Sequence, residues 1–166
     1  MYSLACVQSS ETAPAVMKLS ELMRYMLQES NAEKITIEKE AAYLNNYIQL
    51  QMLKKRYASK IVTDVQLQNP LLMIEPMRLI NFVENAFKHS NPEEEQAWLK
   101  MKLHTNGNQL QFEMTNTFGQ TGIKDKTSGI GLQNVKQRLQ LLYPDQHQLN
   151  IETNNDVHSV HLTISA

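Results

Sequence analysis

The chain has 166 residues, with 16 basic and 17 acidic side chains, a formal net charge of −1 and 42% hydrophobic residues. That length suffices for one well-buried domain with a helical appendage, and the balanced charge offers no electrostatic footprint for nucleic acid. The one cysteine, Cys6, excludes an internal disulfide framework and a multi-cysteine zinc site. His89, His104, His147, His158 and His161 form no helix-spaced pair, so metal ligation by histidine is not expected. No apolar run reaches the roughly 18–20 residues needed to cross a bilayer. The opening MYSLACVQSS lacks the basic start and long apolar core of a signal peptide. The chain reads as cytosolic.

Glycine and proline are scarce before Pro70, and the pattern there is helical. Val16, Leu19, Met23, Met26 and Leu27 recur at helical spacing and form an apolar stripe. Thr36 is placed to cap a second helix, with Glu38 and Glu40 in its first turn. That helix carries Ile37, Ala41, Leu44 and Ile48 on one side and is expected to end near Lys54–Tyr57. Both stripes are expected to be buried against a partner or the following domain. From Lys60 the pattern changes: Ile61, Thr63, Val65 and Leu67 alternate as in a strand. Pro76 suits the first turn of a helix running to about His89. The runs Ala97–Leu103 and Leu110–Met114 alternate around Asn106-Gly107, the clearest hairpin signal in the chain. Residues 117–128 are polar and aperiodic, and read as a mobile loop. A helix over 132–142 follows, with Leu132, Val135, Leu139 and Leu142 on one face. Two further alternating runs, Leu149–Thr153 and Val160–Ile164, flank Asn154-Asn155-Asp156. The resulting order β-α-β-β-loop-α-β-β predicts an α/β (α+β) sandwich. Its mixed, mainly antiparallel sheet has helices packed on one face and is preceded by two helices.

Two segments have compositions that ordinary helices do not explain. On the helix ending at His89, Asn81, Asn85 and Lys88 fall together, opposite Leu79, Ile80, Val83, Ala86 and Phe87. Exposed helix faces favour Glu, Lys, Gln and Arg over the poor helix former Asn. An amide oxygen is a hard ligand suited to Mg²⁺, and a neighbouring lysine pairs with phosphate. The second segment, Ser128-Gly129-Ile130-Gly131-Leu132, leads into a helix. Glycines there let the backbone approach a phosphate at the helix N-terminus. The pattern is neither a Rossmann fingerprint, since Asn134 stands where the third glycine belongs, nor a P-loop. A glycine-rich loop without ligand is the simpler reading of this segment alone.

Taken together the segments resemble a known family. Glu84-Asn85-Ala86-Phe87-Lys88-His89 is similar to the N box of the LytS-type histidine kinases within the GHKL ATPase superfamily. The run from Gly129 to Leu139 is similar to their second glycine box. Leu19-Ser20-Glu21-Leu22-Met23-Arg24-Tyr25-Met26-Leu27 resembles the stretch that follows the phosphoacceptor region. Glu40 to Leu53 resembles the connecting helix. The likeness runs colinearly over nearly the whole chain. It implies a partial dimerisation helix and connecting helix over 1–57 and an ATP-binding catalytic domain over 58–166. The resemblance further implies that Asn85 coordinates Mg²⁺ bridging the ATP phosphates, with Asn81 one turn earlier. Lys88 and His89 would approach those phosphates. Gly129, Ile130, Gly131 and Leu132 would shape the lid hinge, and residues 117–128 would be the lid. The implied partners are ATP, a response regulator and a second copy in the full-length protein, with a membrane contacted only through an upstream region.

Three departures from the family pattern have chemical consequences. Asn116 stands where the family has an aspartate accepting from the adenine amino group; its amide oxygen can also accept that bond. Asn81 stands where ATP-hydrolysing relatives carry a general-base glutamate, and an amide takes no proton from water. The NPHFLFN-like phosphoacceptor motif is absent; the likeness places it just upstream of Met1, so the chain reads as a fragment that does not autophosphorylate at that site. The implied activity is transfer of the ATP γ-phosphate to a histidine outside this chain and thence to a response regulator. The alternative is a non-catalytic ATP-binding and dimerisation module acting through conformational change.

Overall fold

A computed structural model describes residues 12–53, 60–90, 97–117, 128–154 and 156–166. Helix α1 (Thr12–Gln28) is followed by a two-residue strand β1 (Ile35–Thr36) and helix α2 (Ile37–Met52). Next come β2 (Ile61–Leu67), β3 (Met73–Ile74) and helix α3 (Ile80–His89). The hairpin β4 (Leu99–Asn106) and β5 (Gln109–Thr117), helix α4 (Ser128–Leu142), β6 (His147–Asn154) and β7 (Val157–Ser165) complete the chain. The predicted order is observed, with β1 and β3 added as a short antiparallel pair.

The main sheet runs β2-β4-β5-β7-β6, antiparallel except for the parallel β2–β4 edge. Alternation gives it two unlike faces. Leu99, Met101, Leu103, Leu110, Phe112, Met114, Val160, Leu162 and Ile164 are buried on one face. On the other, Lys102 pairs with Glu113 directly opposite at 2.9 Å, and His104 Nε2 lies 3.0 Å from Asp64 across the parallel edge. The apolar face takes the helices, as expected. At the β4–β5 hairpin the two loop residues are Gly107 and Asn108, and Gly107 has φ +58°. Glycine at the first loop position with positive φ suits a tight hairpin.

One expected face is uncovered on the single chain. The α1 stripe of Val16, Met23, Met26 and Leu27 is exposed; the packed residues are Ala15, Leu22 and Tyr25. The reason is polar anchoring: Tyr25 stacks on Tyr43 at 4.2 Å and its hydroxyl donates to the Glu40 carboxylate. In α2, Ile37, Ala41, Leu44 and Ile48 are buried as predicted. The helix ends at Met52 with Leu53 as its C-cap, short of the expected Lys54–Tyr57, which lies outside the described residues. One buried apolar cluster includes residues from Leu22 to Ile164.

Candidate functional site

Helix α3 begins at Ile80, four residues later than Pro76 suggested. Met77, at φ +59°, holds Pro76 out of the helix. The first turn has no side-chain cap of its own. Glu40 of α2 supplies one instead. Its Oε1 accepts from the Leu79 N–H at 3.2 Å, and its Oε2 accepts from the Met77 N–H at 3.0 Å and from the Tyr25 hydroxyl. A carboxylate at a helix N-terminus satisfies orphan donors and complements the dipole. Glu40 is fully buried, and burial raises its pKa despite the bonds that stabilise the anion. Sequence reading placed this residue at the start of α2, as a dipole partner, and missed its larger role between three elements.

With its start fixed, α3 buries Ile80, Val83, Ala86 and Phe87 against the sheet and presents Asn81, Asn85 and Lys88 on the opposite side. Asn81 and Lys88 are exposed and Asn85 is half-buried. The Asn81 amide donates to the Met77 carbonyl at 3.1 Å, leaving its oxygen toward solvent chemistry. His89 closes the helix near β7, where its charge, after burial, holds the pKa of His158 below the usual histidine value.

His158 is the register partner of Asn116 on β5. Asn116 is fully buried, and its Nδ2 donates to the Thr117 carbonyl at 2.8 Å. That bond fixes the amide so that Oδ1 is the open acceptor, and among the described residues this buried oxygen has no partner. A buried polar atom without a partner costs about 1–3 kcal/mol. The structure therefore brings His89 and Asn116 to one end of the sheet, with His158, which sequence reading had noted only as part of a strand.

The glycine segment differs from expectation. Residues 128–131 form the first turn of α4 and are not a loop preceding it, because that helix starts at Ser128. Of the expected lid, residues 117–128, Thr117 ends β5 and Ser128 begins α4, while 118–127 lie outside the described residues. Leu132 is partly buried against the core. Helix α4 is tied to α3 along a seam. The Glu75 N–H donates to the Tyr143 hydroxyl at 3.3 Å, and Arg78, Asn81, Asn134 and Arg138 line one cavity. Residue numbers rise along α3 as they fall along α4, so the two helices run antiparallel.

Among the described residues no group of three or more His, Cys, Asp and Glu is placed to hold a metal ion. No helix among them is long and apolar enough to cross a membrane.

A mixed sheet with helices on one face is the fold of histidine kinase catalytic domains. The catalytic domain of the histidine kinase ThkA superposes with a TM-score of 0.52 at 14% identity, over 80% of this chain and 93% of that one. Full-length ShkA in complex with AMPPNP gives 0.54 at 14% identity, over 92% and 35%. ThkA in complex with the response regulator TrrA gives 0.52 at 13% identity, over 92% and 48%. Residues 1–61 match the family model described as Histidine kinase. The sensor protein LytS of Streptococcus mutans serotype c is 26% identical over 91% of this chain and 28% of its own length. LytS of Staphylococcus saprophyticus is 22% identical over 98% and 30%. Over most of its length the chain is thus similar to LytS-type sensor proteins, and it spans about three tenths of the length of these relatives.

Proposed function

We propose that this chain is the ATP-binding catalytic portion of a sensor histidine kinase, with residues 58–166 as the nucleotide-binding unit. The observation that carries the reading is the buried Oδ1 of Asn116, which has no partner among the described residues and is an acceptor suited to an exocyclic amino group such as that of adenine. Asn85, one turn beyond Asn81 on the open side of α3, would hold Mg²⁺ through its amide oxygen, and Lys88 and His89 would approach the phosphates. The same opposed order, continued along α3, would bring Asn85 toward the turn containing Gly129, Ile130, Gly131 and Leu132, whose backbone N–H groups would favour anions. Magnesium would neutralise charge on the transferring phosphoryl group. The chain's own contribution is positioning. An amide at Asn81 abstracts no proton, which disfavours loss of the phosphoryl group to water.

The acceptor would be a histidine outside this chain, and a response regulator would then receive the phosphoryl group. The exposed Val16, Met23, Met26 and Leu27 stripe supports a homodimer contact in the full-length protein. Titration calorimetry with Mg²⁺·ATP is expected to show binding that falls at least tenfold in Asn85→Ala and in Asn116→Leu. Transfer from labelled ATP to a supplied phosphoacceptor-helix fragment, abolished by Asn85→Ala, supports the kinase. Tight binding without transfer supports a non-catalytic module. Absence of ATP binding refutes both.

A further inference from the structure

Between the start of α3 and the outer side of α4 lies a cavity of about 500 Å³, lined by Arg78, Asn81, Asn134, Gln137, Arg138 and Leu141. The volume falls within the range of small-molecule pockets, about 300–1,000 Å³. Arg78 is half-buried, and its Nε is buried without a hydrogen-bond partner among the described residues. Arg138 approaches from α4, exposed. Burial first, and the like charge of Arg138 second, lower the pKa of Arg78, so the two guanidinium groups act on one another. The facing groups of opposite sign are the carboxyls of Glu75 and Glu40, with the Tyr143 hydroxyl, kept neutral by burial, beside them. Glu40 is engaged by Tyr25, Met77 and Leu79. Glu75 is buried, and among the described residues its Oε2 has no partner and it makes no ion pair with Arg78.

Two guanidinium groups converging on one cavity repel in the empty state, and a dianion between them removes the repulsion. Arginine is suited to this because its planar fork bonds phosphate bidentately and keeps its charge when partly buried. The amides of Asn134 and Gln137 offer neutral donors on the same wall, and Leu141 gives an apolar surface for the body of a ligand larger than phosphate alone. We infer that Arg78 and Arg138 form a binding site for a terminal phosphate group presented in the α3–α4 cavity. The phosphate could belong to a nucleotide held on the same two helices or to a separate phosphorylated compound. The inference does not depend on the Asn85 and Asn116 assignments.

The test titrates inorganic phosphate, and separately Mg²⁺·ATP, into the whole chain and into Arg78→Gln, Arg138→Gln and Asn85→Ala, with circular dichroism confirming that each variant folds. Amide and guanidinium NMR shifts report occupancy. Inorganic phosphate binding that drops at least tenfold in both arginine variants and survives Asn85→Ala supports a site that recognises phosphate from any source. ATP binding that weakens at least tenfold in both arginine variants, without binding of inorganic phosphate, supports the site with the nucleotide as the source. Glu75→Gln, which removes the competing carboxylate, is expected to tighten whichever ligand binds by several-fold. If wild type binds ATP but neither arginine variant changes affinity for ATP or phosphate, the site is overturned while the nucleotide reading stands. If wild type binds no ATP but shows the arginine-dependent phosphate site, the nucleotide reading fails and this one survives. Binding of neither ligand overturns both.

Discussion

Replacing Glu40 by glutamine removes the charge of its carboxylate and converts one acceptor into a donor. In the wild type, three donors converge on that carboxylate: the Tyr25 hydroxyl, the Met77 N–H at 3.0 Å and the Leu79 N–H at 3.2 Å. Glutamine can keep the Leu79 bond through Oε1, and its NH₂ can donate to the Tyr25 oxygen. The Met77 N–H then faces a donor and is left unsatisfied, at a cost of about 1–3 kcal/mol. Loss of charge assistance on the remaining bonds adds roughly 1 kcal/mol, and relief of carboxylate desolvation returns a similar amount. The net expectation is a loss of about 2 kcal/mol, read from the urea midpoint at pH 7 with an unchanged m-value. Tyr25→Phe should be non-additive with it by about 1 kcal/mol or more, because both changes act on one network. There is also a pH signature. Burial raises the folded pKa of Glu40 above its ordinary value of 4.5. Its contribution is therefore fully present below that value and declines as pH rises through the folded pKa. Glutamine should abolish that segment of the stability profile. A midpoint shift equivalent to less than about 0.5 kcal/mol, with the wild-type pH slope intact, would refute the capping role.

Gly107→Ala should cost about 1 kcal/mol in thermal or urea unfolding. A Cβ there meets nothing within 4 Å, so the effect is purely that of the left-handed backbone; a neutral result would show that the turn relaxes. Tyr143→Phe is expected to destabilise by about 1–2 kcal/mol, because the buried Glu75 N–H loses its acceptor. Equal midpoints would sever the proposed α3–α4 tie. His158 should titrate below 6.5 in an NMR pH series, since burial and the charge of His89 both disfavour its cation. Its contribution to stability is present above 6.5 and is lost as pH falls through the folded value, a slope that His158→Gln should remove. Titration at or above 6.5 would contradict this placement.

The sheet and the site were legible to different degrees. Period-two alternation located β4, β5, β6 and β7: β4, β5 and β7 bury one face, and β6 half-buries Leu149 and Ile151. The α3 faces were equally clear, since Leu79, Ile80, Val83, Ala86 and Phe87 are all buried. Strands β1 and β3, at two residues each, are too short to carry a period. The face by which α1 packs on α2 was not legible, because its anchors include a tyrosine bond and ring stacking, which a tally of aliphatic spacing does not register. Arg78 and Arg138 are separated by sixty positions, and Glu40 stands thirty-nine before Leu79. No local pattern announces partners that meet only through the fold. Asn116 entered through family resemblance, but its unpartnered oxygen is a property of the folded chain alone.

The single parallel pairing, Ile61 against Leu99 through Leu67 against Thr105, also sets a sequence of events in time. The β4–β5 hairpin closes over two residues, and hairpins of this kind form in about 1–10 μs. Strand β2 cannot join until the chain between Leu67 and Leu99, which contains α3, has crossed the sheet. The helix bearing Asn81, Asn85 and Lys88 is thus laid down by a long-range closure, slower than that of the hairpin. Amide exchange in β2 and α3 should accordingly report a shared opening event, distinct from the longer-lived centre of β5 and β7.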